Sequence, residues 1–131
     1  MSNNDYNMNP EITQTPAPQQ PTEEQLQQRA DEISKRLGCK VHPLQFFDDN
    51  AQPLYAFVRE PNRLVKQRAL DAALQKGPMI AAGELLEAVL IKEESDPRVY
   101  SEAPENDKYY LGAATAAMEL IKVSVDQFKK K

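Results

Sequence analysis

The sequence predicts an α+β domain in which a leading helix and a β-hairpin precede three further helices. Three observations carry this reading. "TEEQ", at Thr22, opens a helix with paired start signals. In "YAFVREPNRLVKQRALDAAL" the side chains alternate as in a strand up to Arg59 and recur at helical spacing from Asn62, with Pro61 at the join. Beyond Gly77-Pro78, two more stretches keep helical spacing to the C-terminus.

Residues 1–21 hold almost no large apolar side chain and carry Pro10, Pro16, Pro18 and Pro21. Such a stretch buries too little surface to offset its ordering entropy, so a flexible Pro/Gln/Asn-rich arm is expected ahead of a single domain over 22–131. Thr22 then caps Gln25 while Gln25 reaches back, and Glu23 and Glu24 suit the positive end of the helix dipole. Leu26, Ala30, Ile33 and Leu37 follow as a thin apolar stripe, and Gly38 is a favourable C-terminal stop, so a helix is expected over 23–37. "VHPLQFF" supplies a first strand, which Pro43 restricts to an edge or start position. "DDNAQP" is a polar turn. Leu54, Ala56 and Val58 occupy one face of the second strand, and Tyr55, Phe57 and Arg59 the other. One face packs on helices; the other is open to a partner or a third strand.

Pro61 fits a first helical turn, where its missing N–H is not needed. Leu64, Val65, Ala69, Ala72 and Ala73 then mark a helical face that Leu70 and Leu74 widen. "MIAAGELLEAVLIKEE" is read as the next helix, with Ile80, Leu86, Val89 and Leu90 available for the core and Gly83 admitting a close neighbour. "ESDPRVYSEAPEND" is an acidic loop. Tyr110, Ala114, Ala117, Ile121, Val125 and Phe128 define the closing helix. Leu70, Leu86, Leu90, Ile121 and Val125 are the expected buried positions.

Composition narrows the function. The 131 residues carry a formal charge of −4 with a pI near 5.1, so no global basic field attracts nucleic acid. The start is polar, without the charged and apolar regions of a signal peptide, and no apolar run approaches the roughly 20 residues that span a bilayer. A cytosolic setting without membrane contact is expected. Cys39 is the single cysteine and His42 the single histidine. Three apart on a strand, they point to opposite faces and form no nucleophile–base pair. Two such ligands also fall short of a structural zinc site. The carboxylates around 93–107 lack the alternate spacing and sharp glycine turn of a calcium loop. They read as a solvated loop or as a docking patch for a basic segment. No glycine-rich phosphate loop exists. No catalytic residue, metal ligand or cofactor is assigned. Arg59, Arg63, Lys66, Gln67 and Arg68 form one local basic cluster, the only foothold for a nucleic-acid reading.

"RADEISKRLGCKVHPLQFF", "PLYAFVREPNRLVKQRALDAA", "AAGELLEAVLIKEESDPRVY" and "DKYYLGAATAAMELIKVSVDQF" together resemble the small tail assembly chaperone-like proteins of bacteriophages, over about residues 24–128. The chain departs from that pattern at "VLIKEESD", where the family often carries an aromatic and small-residue cluster with Gly-Asp. The resemblance implies a non-enzymatic protein of the host cytoplasm that coats the aggregation-prone tape measure protein until the tail tube forms around it. Self-association is left open. Tyr55 and Phe57 are then the candidate contact residues, with Arg59 and Arg63 beside them; the alternative for the two aromatics is ordinary core packing beneath the helices. The alternative is a structural virion component, such as a small capsid, connector or tail protein, whose N-terminal arm reaches neighbouring subunits.

Overall fold

The computed structural model describes residues 22–129, with side chains through 122. The arm over 1–21 lies outside the described residues, and the core position Val125 lies outside the described side chains. Among the described residues, four helices and one two-stranded antiparallel hairpin give the α+β architecture.

Helix α1 (Glu23–Leu37) begins on the capping box: Thr22 Oγ1 accepts the Gln25 N–H at 3.1 Å, and Gln25 Oε1 accepts the Thr22 N–H at 2.9 Å. It stops at Gly38, whose φ of 75° is a left-handed conformation that glycine adopts without a Cβ clash. Leu26, Ala30 and Ile33 are its buried stripe. Strands β1 (Val41–Phe47) and β2 (Pro53–Arg59) pair from Val41 opposite Arg59 to Phe47 opposite Pro53. Asp48 holds the turn, its Oδ1 accepting the N–H groups of Asn50 and Gln52, both at 2.9 Å.

The hairpin is covered on both faces, which makes the domain three layers deep. Leu54, Ala56 and Val58 join the main core with helix α3 (Pro78–Val89) and helix α4 (Asp107–Lys129). Val41 and Phe57 join a second cluster with Ala30 and Ile33 of α1 and with Ile91. An isolated hairpin is marginal in water, so these two helical layers are what stabilise it.

Helix α2 (Arg63–Lys76) starts two residues later than the position of Pro61 suggested. Asn62 is the cap, its Oδ1 accepting the Val65 N–H at 2.9 Å, and Pro61 is buried just ahead of it. The inward face of α2 is also corrected. Ala69 and Ala72 are buried, whereas Leu64, Leu70 (41% exposed) and Leu74 (87% exposed) point to solvent. The short alanines let α2 lie close against α3, and a close approach leaves no room for leucine. Leu86 and Ile121 are buried as expected, and Leu90 is partly buried at the edge of the main core. Ile80, expected inside, is 55% exposed.

Helix α3 ends at Val89 rather than running to Glu94. Leu90 turns extended and bridges to Val58, the Ile91 N–H donates to Phe57 O at 2.9 Å, and the Asp96 N–H donates to Tyr55 O at 2.8 Å. The chain thus runs back along the outer edge of β2 and satisfies backbone groups that would otherwise be left unpaired. Three short 3-10 turns, Lys92–Glu94, Pro97–Val99 and Pro104–Asn106, lead into α4.

Gly83 admits a close neighbour, and that neighbour is Tyr110 of α4: a Cβ on Gly83 would stand 2.6 Å from its hydroxyl oxygen. The Tyr110 hydroxyl is the end of a movable side chain, so the clash can be relieved by removing it. Gly83→Ala alone is expected to gain little. In a Tyr110→Phe background it should raise stability by about 0.5–1 kcal/mol, the usual helix-interior advantage of alanine. Thermal unfolding of the four-member mutant cycle checks this, and additive effects would contradict the contact.

Candidate interaction surface

Among the described residues, six of the seven exposed large apolar side chains lie on α2, α3 and α4, and three of them share one depression. Met79 and Ile80 in the first turn of α3 and Leu111 of α4 surround a shallow groove floored by Gly83 and Tyr110. Glu84 and Glu87 form its rim. Gly83 allows this seam because it lets the Tyr110 ring lie across α3. Burial, with a contribution from Glu87, pushes the Tyr110 phenol up from its ordinary value, so its hydroxyl stays neutral and the floor uncharged at neutral pH. The groove therefore offers apolar area with carboxylates along one side. It suits an apolar helical segment, read through positions spaced three and four apart.

The residues predicted from sequence do not meet there. Phe57 is 4% exposed beneath α1, so it presents no surface to a partner. Tyr55 is partly buried against the same cluster, and its hydroxyl oxygen is buried without a hydrogen-bond partner. Arg59 and Arg63 are exposed at the end of β2 and the start of α2. Alternation along β2 correctly separates the two faces, but it does not reveal that α1 covers the aromatic one. Met79, Ile80 and Leu111 were missed. For Met79 and Ile80 the signal was available: α3 is apolar almost all round, more than one buried face requires.

Cys39 and His42 have separate partners. Cys39 packs against the second cluster, while His42 Nε2 lies 2.5 Å from Glu60 Oε1. Burial works to raise the Glu60 carboxyl, but the His42 hydrogen bond and charge, with Lys66 and Lys40, outweigh it and hold the group below the ordinary carboxylate range. Among the described residues no three His, Cys, Asp or Glu side chains gather as a metal site, and no helix is long and apolar enough to cross a membrane.

The acidic segment turns out to be held by this chain's own cations. Glu94 accepts from Arg29 at 2.6 Å and pairs also with Arg36, both on α1. Arg98 bonds Asp96 at 2.9 Å and Asp48 of the hairpin turn at 3.2 Å. The Arg98 hydrogen bond is the main cause that lowers the Asp96 carboxyl, and the Gln52 N–H is the main cause that lowers Asp48. A carboxyl whose pKa is depressed by folding adds stability above its unfolded value and loses it as pH falls through the folded one. The unfolding midpoint should therefore fall as pH drops below about 4, and Arg98→Met should flatten that fall. A midpoint with the same acid dependence in both proteins would show that Arg98 does not hold these carboxylates.

Comparison with protein families, with curated proteins and with solved structures finds no match for this chain.

Proposed function

We propose that this chain is a non-enzymatic phage assembly protein of the tail-chaperone kind, which binds the tape measure protein in the host cytoplasm through the groove between α3 and α4. The observation that carries the reading is the cluster of exposed Met79, Ile80 and Leu111 over Gly83 and Tyr110. Protein that holds a client needs lendable apolar surface and no reacting group, and mass action does the rest. The resemblance of residues 24–128 to tail assembly chaperones supplies the client; the groove supplies a place for one of its helices.

The test is co-expression with the tape measure protein of the same genome. Wild type should co-purify with it, and Ile80→Glu with Leu111→Glu should abolish recovery while the variant keeps its fold, since both positions are exposed. Retained recovery would move the client surface away from this groove. The structural-component reading draws on the N-terminal arm alone and is decided by the copy number in finished particles.

A further inference from the structure

Helix α2 presents a second unpartnered face, and it complements the groove. Arg63, Gln67, Leu70 and Leu74 recur at spacings of four, three and four, so they form one stripe, and all four are exposed. The buried Ala69 and Ala72 lie on another side of the helix, against α3. Of the four cations of α2, Arg63 lies on this stripe, whereas Lys66 pairs with Glu60, Lys76 pairs with Glu84, and Arg68 lines the seam with α3. The groove has the opposite character, apolar with Glu84 and Glu87 at its rim. Those two carboxylates do meet Lys76 at 2.9 Å and Lys92 at 3.9 Å within the chain, but each is about half exposed and keeps room for a further cation.

From this pairing we infer that the α3–α4 groove of one copy takes the outer stripe of α2 from a second copy. The register supports it. With the two helices antiparallel and Leu70 opposite Ile80, Arg63 comes level with Glu87, because each lies seven residues further along, about 10 Å of helix. Leu74 then falls level with Lys76, just ahead of the start of α3 and about one turn from Met79. The two faces are different parts of the molecule, so the contact is head-to-tail and propagates into rings or open chains unless it is capped. The inference deepens the proposed function by naming what fills the groove when no client does, and it rests on that reading only in treating the groove as a docking site.

Sedimentation of the full chain over a concentration series tests it. Wild type should self-associate, and Leu74→Glu and Ile80→Glu should each weaken association at least about tenfold, as loss of a central interface anchor does. Both positions are exposed, and unchanged helix content and melting will show that the variants fold. Mixing the two variants is the decisive arm. Leu74→Glu keeps a sound groove and Ile80→Glu a sound stripe, so the mixture should form a dimer that neither forms alone. Wild type that stays monomeric, a variant that associates alone as tightly as wild type, or a mixture that associates no more tightly than either variant alone would each overturn the head-to-tail contact. Leu74→Glu should still recover the tape measure protein. If it does while wild type never self-associates, only this inference falls; if wild type self-associates as described but binds no client, only the chaperone reading falls.

Discussion

Leu86→Ala is expected to lower unfolding stability by about 2–5 kcal/mol, the range for truncating a buried leucine. Leu86 is 1% exposed in the main core, packed among residues of the hairpin, α3 and α4. Its removal costs the transfer of the lost carbons and also leaves a cavity. Closing that cavity would require three layers to shift together. For a domain of this size each kcal/mol moves the melting midpoint by about 4–8 °C, so a fall on the order of 10 °C or more should be seen. Leu64→Ala is the matched control: the same residue type, exposed on α2 outside the Leu70–Leu74 stripe, should change stability by less than about 0.5 kcal/mol. Equal effects at the two positions would mean that the packing of α2 on α3 has been assigned to the wrong face.

Ser95→Ala should cost about 1–3 kcal/mol, although it removes a single oxygen. Ser95 is the one buried polar side chain among the described residues. Its hydroxyl accepts the Phe57 N–H at 3.0 Å and donates to Ile91 O at 2.8 Å, sewing the returning segment to the edge of β2. Alanine leaves the Phe57 N–H buried and without an acceptor, and that desolvation penalty dominates the loss. Amide hydrogen exchange gives an independent readout: the Phe57 amide should lose protection beyond the change in global stability. A variant of wild-type stability with an equally protected Phe57 amide would show that the segment is held by something else.

The parts of the fold that were legible in the sequence are those set by local chemistry. The Thr22–Gln25 capping box, the stop at Gly38, the change of period around Pro61 and the close approach at Gly83 all follow from a few adjacent side chains. The illegible parts depend on which of two apolar faces wins. In α2, alanines and leucines occupy different sides, and periodicity cannot tell that the smaller residues go inside. That choice is made by how near α3 comes. Similarly, "VLIKEE" has helical propensity throughout, yet Leu90 and Ile91 leave the helix because the open edge of β2 offers them hydrogen bonds. Alternation places Phe57 opposite Leu54 and Val58, on the face that the sequence leaves open to a partner. The thin stripe of α1 needed a surface to dock on, and that face was it. Of the candidate groove, only the all-round apolar character of α3 is legible in the sequence, because the meeting of α3 with α4 that forms it has no local signature.

The most direct measurement of the central claim is the amount of this chain relative to the tape measure protein, by quantitative mass spectrometry, before and after tail assembly. A chaperone that lends its groove must leave when the tube closes around the client. The account predicts recovery with the tape measure protein from cells before assembly and absence from purified particles. A fixed, stoichiometric number of copies in the finished particle would contradict it and make the chain a structural component instead.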